Sequence, residues 1–149
     1  MFLRCVACCA ILMLSACADS GSSRGRVVTP DNVTAQVAWT PEELAKPIAV
    51  RRLHATAEIS VSLIRLKDAE KPHIHQPHDL GVVMLAGGGV LHLGDRAIPV
   101  KPGDVMEIPR GTVHWAENTD PAGSEVYALF SPPYDGLDNI PVLPFTVKP

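Results

Sequence analysis

Short apolar stretches separated by glycine and proline dominate the chain from Ile48 onward. The stretches are rich in Val, Ile and Leu and recur at intervals of about ten residues, which is typical of short strands rather than helices. The turns between them contain glycine or proline, residues that reverse the chain at low cost. The pattern predicts strands over residues 48–54, 57–66, 80–86, 89–93, 96–100, 104–108, 113–118 and 124–130.

Many short strands of this kind indicate a β-sandwich or a closed barrel. The chain carries one strong helix signal, in which Pro41 occupies the first helical position and Thr40 and Glu43 form a capping box. From Ser131 to the C-terminus the chain is rich in proline, which has no N–H to donate to a sheet. We therefore expect a short N-terminal helix and a tail that wraps around the outside of the sheet.

The N-terminus has the features of an export signal. Arg4 precedes an apolar run over residues 5–14, and the sequence Leu-Ser-Ala-Cys that ends at Cys17 resembles the signal of bacterial lipoproteins. This resemblance implies that residues 1–16 are removed and that Cys17 is lipidated, for example with palmitate. A plain secretory signal or a retained short anchor is the alternative. Residues 17–26 are small and polar and predict a flexible tether, which leaves residues 27–149 as the folded domain.

Composition limits what this domain can do. The chain has 149 residues, is 46% hydrophobic and carries a formal net charge of −3, which suits a single globular domain and no nucleic-acid partner. Its cysteines other than Cys17 lie in the predicted signal segment. We expect a lipid-anchored protein of the cell envelope, facing the periplasm at the outer membrane in bacteria that have two membranes.

Histidine is concentrated in one place. Three of the six histidines lie within residues 73–78, and His73 and His75 are two residues apart. On an extended segment their side chains share one face, as two imidazoles must if they hold one metal ion. This spacing alone is a weak signal, and it gains meaning from His114 downstream.

The stretch over residues 103–118 resembles the second motif of the cupin superfamily, G-x5-P-x-G-x2-H-x3-N. The matching positions are Gly103, Pro109, Gly111, His114 and Asn118. The upstream stretch resembles the first cupin motif, G-x5-H-x-H-x3,4-E-x6-G, at His73, His75 and Gly87. The resemblance covers residues 59–130. It implies a small single-domain barrel of the cupin type-2 kind, an all-β double-stranded β-helix (jelly roll), in which the histidines of both motifs converge on one metal.

The first motif is incomplete. Lys67 stands at its leading glycine, and its glutamate is missing: one spacing puts Leu80 there, and the other puts Asp79 there. Three outcomes are open, namely a metal on His73, His75 and His114 alone, a fourth ligand from Asp79 or His78, or a barrel without metal.

Imidazole ligands suit Fe, Zn, Ni or Cu, and a carboxylate would favour Mn or Fe. The resemblance implies a small-molecule ligand and permits three uses of the site. The first is a metal-dependent oxygenase of the dioxygenase type, the second is a non-catalytic module that binds a small molecule or metal, and the third is a metal-free domain for protein interaction. Whether the protein is an enzyme stays open at this point. A homodimer paired through edge strands is a further expectation.

Overall fold

The computed structural model describes residues 24–29, 32–34 and 38–142. The predicted signal segment over residues 1–16 and the predicted lipidation site at Cys17 lie outside these ranges. Among the described residues, no helix has the length and apolar character needed to cross a bilayer.

The described chain is built almost wholly of strands. In chain order the elements are β1 (Val27–Thr29), β2 (Asn32–Thr34), α1 (Pro41–Leu44), β3 (Ile48–Ala55), β4 (Ser60–Leu66), β5 (His73–Ile74), β6 (Asp79–Ala86), β7 (Gly89–Leu93), β8 (Arg96–Val100), β9 (Val105–Ile108), β10 (His114–Asn118), β11 (Ser124–Ser131) and β12 (Ile140–Pro141).

Two five-stranded sheets form the body of the fold. One has the order β3-β4-β11-β6-β9 and the other the order β12-β5-β10-β7-β8, while β1 and β2 pair with each other. Every pairing in these sheets is antiparallel. The structure confirms the predicted all-β jelly-roll barrel with one short helix.

The space between the two sheets is filled by alternate residues of the strands. Side chains in a strand point to opposite faces in turn, so every second residue of β6 and β11 reaches the interior. Leu80, Val82, Met84, Ala128 and Phe130 belong to one buried hydrophobic cluster. The predicted apolar runs thus supply the core that joins the sheets.

The helix α1 begins as its sequence predicts. The Thr40 side chain accepts a hydrogen bond from the Glu43 N–H at 3.3 Å, and the Thr40 N–H donates to the Glu43 carboxylate at 2.8 Å. These two bonds complete the capping box, with Pro41 in the first turn.

The first described residues contact the barrel. The Gly25 N–H donates to the Leu85 carbonyl at 2.8 Å, and Arg24 forms an ion pair with Glu125. These contacts begin three residues before Val27, inside the segment that composition assigns to the tether.

The described part of the C-terminal tail packs against the barrel. Its strand β12 pairs with β5 at the edge of the second sheet, and the Tyr134 ring stacks on Phe130 with ring centroids 4.8 Å apart. This course differs from the predicted wrap around the outside, because Phe130 offers Tyr134 an aromatic partner at the barrel end. Tyr134, a residue of the tail, therefore packs against the core, which the sequence pattern predicts to be formed by the strands alone.

Gly87 occupies a backbone site that no other residue can fill without strain. Its φ is +74°, and a Cβ atom there would lie 2.6 Å from the Gly123 carbonyl oxygen and 2.9 Å from Ser124 Cα. Gly94 has a similar φ of +62°, but a Cβ atom added there would meet no other atom within 4 Å, so it shares the conformation without the crowding.

We expect Gly87→Ala to lower the free energy of unfolding by about 3 kcal/mol or more, because it combines left-handed strain with a clash against backbone. Gly94→Ala, the matched control, should cost only about 1–2 kcal/mol. Denaturant unfolding of both variants measures the difference. Equal losses would show that the close approach at Gly87 is unimportant.

Candidate metal centre

The pairing of β5 with β10 brings the two histidine segments together. His73 and His114 are direct partners across this antiparallel pair. His75 lies two residues beyond His73 and so shares its face. The ring centroids lie 4.3 Å apart for His73 and His114, 5.0 Å for His73 and His75, and 5.3 Å for His75 and His114.

All three rings are buried, with 3%, 5% and 4% of the residue surface exposed for His73, His75 and His114. One ring nitrogen from each lies within 4.8 Å of the corresponding nitrogens of the other two. A metal ion binds imidazole nitrogens at about 2.0–2.1 Å, so nitrogens this close together could share one ion. The structure thus gathers the three histidines that the sequence selects into a group that could hold a metal.

Each ring is oriented by a backbone carbonyl at its Nδ1 atom. The distances are 2.8 Å from His73 to Lys71 O, 2.8 Å from His75 to Asp138 O, and 2.9 Å from His114 to Thr112 O. A carbonyl oxygen only accepts hydrogen bonds, so Nδ1 must carry the proton in all three. The lone pair of each neutral ring is then on Nε2, the atom left free to bind a metal.

Burial keeps two of these rings neutral. It lowers the pKa of His114 to about 4, against the opposing hydrogen bond to Thr112, and it also lowers the pKa of His75. At neutral pH both imidazoles therefore retain the lone pair that a metal ligand needs.

Asp138, in the tail, holds the loop that follows the first two histidines. Its carbonyl accepts from His75, one carboxylate oxygen accepts from the Gln76 N–H at 3.3 Å, and the other lies 2.7 Å from His78 Nδ1. The second nitrogen of His78 lies 3.2 Å from the Pro133 carbonyl. His75, His78 and Asp138 form a second group of possible ligand atoms, but these hydrogen bonds occupy both His78 nitrogens. We infer that His78 helps to hold this loop in place and does not bind the metal.

Two positions of the downstream motif connect the strands around the centre. The Gly111 N–H donates to the His75 carbonyl at 2.8 Å from a residue with φ of +74°. The Asn118 side chain donates to the carbonyls of Lys67 and Asp120 at 2.9 and 2.7 Å. Asn118 is thus a hydrogen-bonding residue at the end of β10.

A cavity of about 180 Å³ lies inside the barrel beside the three histidines. Most of its lining is aliphatic, and its polar groups besides the histidines include Glu70, Tyr134 and Asn139. The Glu70 carboxylate accepts from the Ala116 N–H at 3.0 Å, and burial raises its pKa despite the opposing influence of His73. Sequence reasoning missed Glu70 and Asp138, since neither belongs to a motif or a periodic pattern.

Comparison with known proteins identifies the domain that carries this site. Residues 63–130 match the family model described as the cupin domain. An uncharacterized protein of Aquifex aeolicus is 41% identical over 101 residues, which cover 68% of this chain and 83% of that protein. The chain contains a cupin domain.

Solved cupin-like structures agree with this assignment. The structure of KdgF from Halomonas sp. is 26% identical with a TM-score of 0.57, covering 60% of this chain and 83% of that one. An rmlc-like cupin protein from Desulfovibrio desulfuricans has a TM-score of 0.56 at 20% identity, covering 72% of this chain and all of that one, and it supports the fold alone.

The structure separates Asp79 from the histidines of this cupin. Leu80 is buried and lines the cavity, whereas Asp79 lies on the opposite face of β6. The Asp79 carboxylate accepts from the Arg110 backbone N–H at 2.9 Å and from its guanidinium Nε at 3.1 Å, and it forms an ion pair with the same side chain. A β-bulge between Asp79 and Leu80 would turn Asp79 inward, but β6 has none at this point, since Leu80 and Gly81 pair in register with Ile108 and Glu107. The geometry thus favours a three-histidine set over one that includes Asp79.

The Asp79–Arg110 pair gives a pH-dependent prediction. Its hydrogen bonds lower the pKa of Asp79 from 3.8 to about 2. Because the pKa of the folded state is the lower one, the stabilisation is present above pH 3.8 and is lost as the pH falls towards 2. We expect Arg110→Gln to return the pKa of Asp79 towards 3.8, measured by carboxyl NMR titration.

The same variant should unfold at a lower temperature than the wild type near pH 6 by a small amount, because the pair is exposed. The difference should disappear near pH 2. An Asp79 pKa that stays near 2 in Arg110→Gln would contradict this assignment.

Proposed function

We propose that this cupin binds a divalent transition metal on His73, His75 and His114 and receives a small molecule in the adjoining cavity. The observation that carries the proposal is the hydrogen-bond pattern that the three rings share. Each donates its Nδ1 proton to a backbone carbonyl, which leaves Nε2 as the free nitrogen of a neutral ring, and one ring nitrogen of each histidine lies within 4.8 Å of those of the other two.

The donor set indicates which metals fit. Three neutral imidazoles suit Fe, Zn, Ni or Cu, and with Leu80 in place of a carboxylate the site favours these over Mn. A metal ion so bound would supply Lewis-acid chemistry, activation of water or dioxygen binding. The protein itself would contribute the orientation of the rings, the exclusion of bulk water by the apolar walls, and the Glu70 carboxyl as a hydrogen-bonding group beside the substrate.

Zinc titration of the chelator-treated full chain tests the metal centre. We expect one zinc ion per chain for the wild type, and an affinity at least about 100-fold lower for His73→Gln, His75→Gln or His114→Gln, since loss of a direct ligand should exceed the 10–100-fold effect of outer partners. Isothermal titration calorimetry gives both quantities.

His92→Gln is the matched control, because His92 stacks on Trp115 at a ring distance of 4.2 Å and does not line the cavity. Its affinity should equal that of the wild type. Equal zinc affinity in all five proteins would rule out the proposed centre.

An oxygenase and a binding module would use the same residues here, but only the oxygenase would convert its ligand into a product. An oxygen electrode separates them, with the iron-loaded protein and a series of small phenols, thiols and keto acids as substrates. Oxygen uptake that requires both the metal and one of these compounds would assign an oxygenase. Saturable binding without uptake would assign a module that captures its ligand.

We also propose that the protein is exported and anchored by a lipid on Cys17, as the sequence Leu-Ser-Ala-Cys supports. In a bacterial host, the full chain should incorporate a palmitate probe and partition with membranes. Cys17→Ser should lose both properties, whereas Cys9→Ser, within the same segment, should keep them. Labelling that survives in Cys17→Ser would disprove this anchor.

A further inference from the structure

The walls of the cavity beside the histidines are mostly aliphatic. Aliphatic side chains from both sheets line it, among them Val82, Leu91 and Ile108. Ile48 and Val50 also line it and are 37% and 59% exposed, so the cavity reaches solvent past an apolar mouth. A ligand that enters this way loses its water shell along the whole path.

Within the described residues, no lysine or arginine lines the cavity. Arg65 donates to the Ala122 carbonyl at 2.9 Å from the outer face of β4, Arg110 pairs with Asp79, and Arg96 is exposed on β8. None of these three side chains lines the cavity. An anionic ligand would thus meet no compensating cation from the protein.

The acidic groups near the cavity strengthen this selection. Glu70 is the carboxyl that faces the interior, and burial raises its pKa. Glu117 also borders the cavity, but its carboxylate lies 3.2 Å from His92 Nε2 on the other side of β10. The carboxylate of a ligand would lie beside Glu70, which supplies no positive charge, in a medium of low polarity, and this is costly without a partner.

An aromatic wall stands next to the histidines. The rings of Phe130 and Tyr134 stack on each other, and each lies edge-to-face with His75, at centroid distances of 5.6 and 5.4 Å. Aromatic rings attract one another in edge-to-face and offset arrangements, so this corner is suited to a planar ring.

The size of the cavity sets the scale of that ligand. Its volume of about 180 Å³ is slightly larger than the engineered apolar cavity of about 150 Å³ that is known to bind benzene. Resting on the proposed function of this same site, we propose that the cavity, when no metal is bound, selects a small uncharged compound with one aromatic ring and a single polar group that points at the histidines, and that in this state it rejects carboxylate anions of the same size.

Benzamide and benzoate test this selection, because they share size and shape and differ in charge. Binding to the chelator-treated full chain is measured by calorimetry. We expect benzamide to bind at least 10-fold more tightly than benzoate, since a buried carboxylate without a cation loses its hydration. Benzoate binding that equals or exceeds benzamide binding, or no binding of either, would overturn the inference.

A cavity-filling variant locates the binding. Ala128 is 1% exposed and lines the cavity, so Ala128→Leu should weaken benzamide binding at least 10-fold. Val83→Leu, on the outer face of the neighbouring strand β6, should bind as the wild type does. If Ala128→Leu fails to fold, Ala116→Val fills the cavity from β10 instead and should also weaken benzamide binding. Unchanged binding in a folded cavity-filling variant would place the ligand elsewhere and overturn the inference.

The zinc titration distinguishes failure of this inference from failure of the metal centre. A chain that prefers benzamide but binds no zinc would retain the apolar binding site and lose the proposed metal function. A chain that binds zinc on the three histidines but shows no preference for benzamide would retain the centre and lose the proposed ligand class.

Discussion

The antiparallel pairing of β5 with β10 is the constraint on which the site depends. β5 is only two residues long, yet it lies between β10 on one side and β12 on the other. Its register sets His73 opposite His114. A slip of one residue would turn the facing side chains to the opposite side of the sheet and present Trp115 instead of His114. Additional bonds therefore secure this short strand, including those from Gly111 to His75 and from Val142 to Pro72.

Local sequence rules account for most of the barrel. The strands β3, β4 and β6 to β11 follow from apolar runs and from the glycine and proline turns between them, because burial on one face imposes a repeat of two on each strand. Motif spacing identified His73, His75 and His114 without knowledge of the register. The capping box likewise fixed the start of α1, since its bonds connect residues only three apart.

Other parts of the site carry no local signal. A strand of two residues such as β5 or β12 is too short to show periodicity, so neither could be recognised from the sequence. Asp138 reaches the loop after His75 across 63 residues of chain, and nothing in a proline-rich tail marks it as a partner of that loop. The directions of Arg65 and Arg110 depend on their partners in neighbouring strands and loops, which only the assembled structure defines.

Leu80 is an apolar residue in a cavity lining that is mostly apolar. A carboxylate there would supply a negative ligand next to the histidines, whereas Leu80 continues the aliphatic lining. An imidazole ligand brings no negative charge, so a divalent ion held by the three histidines would keep its full charge in surroundings of low polarity. Electrostatic interactions with any polar group beside it are stronger there than in water.

The position of Asp138 in the chain has a consequence for the order of assembly. Synthesis proceeds from the N-terminus, so both histidine segments are complete well before the residue whose carbonyl holds His75 has been made. Until then two imidazoles have their carbonyl partners, and the third lacks the acceptor that selects its tautomer. The centre is thus complete only once residue 138 is in place, and a molecule shortened by proteolysis before Asp138 would lose the fixed orientation of one ring.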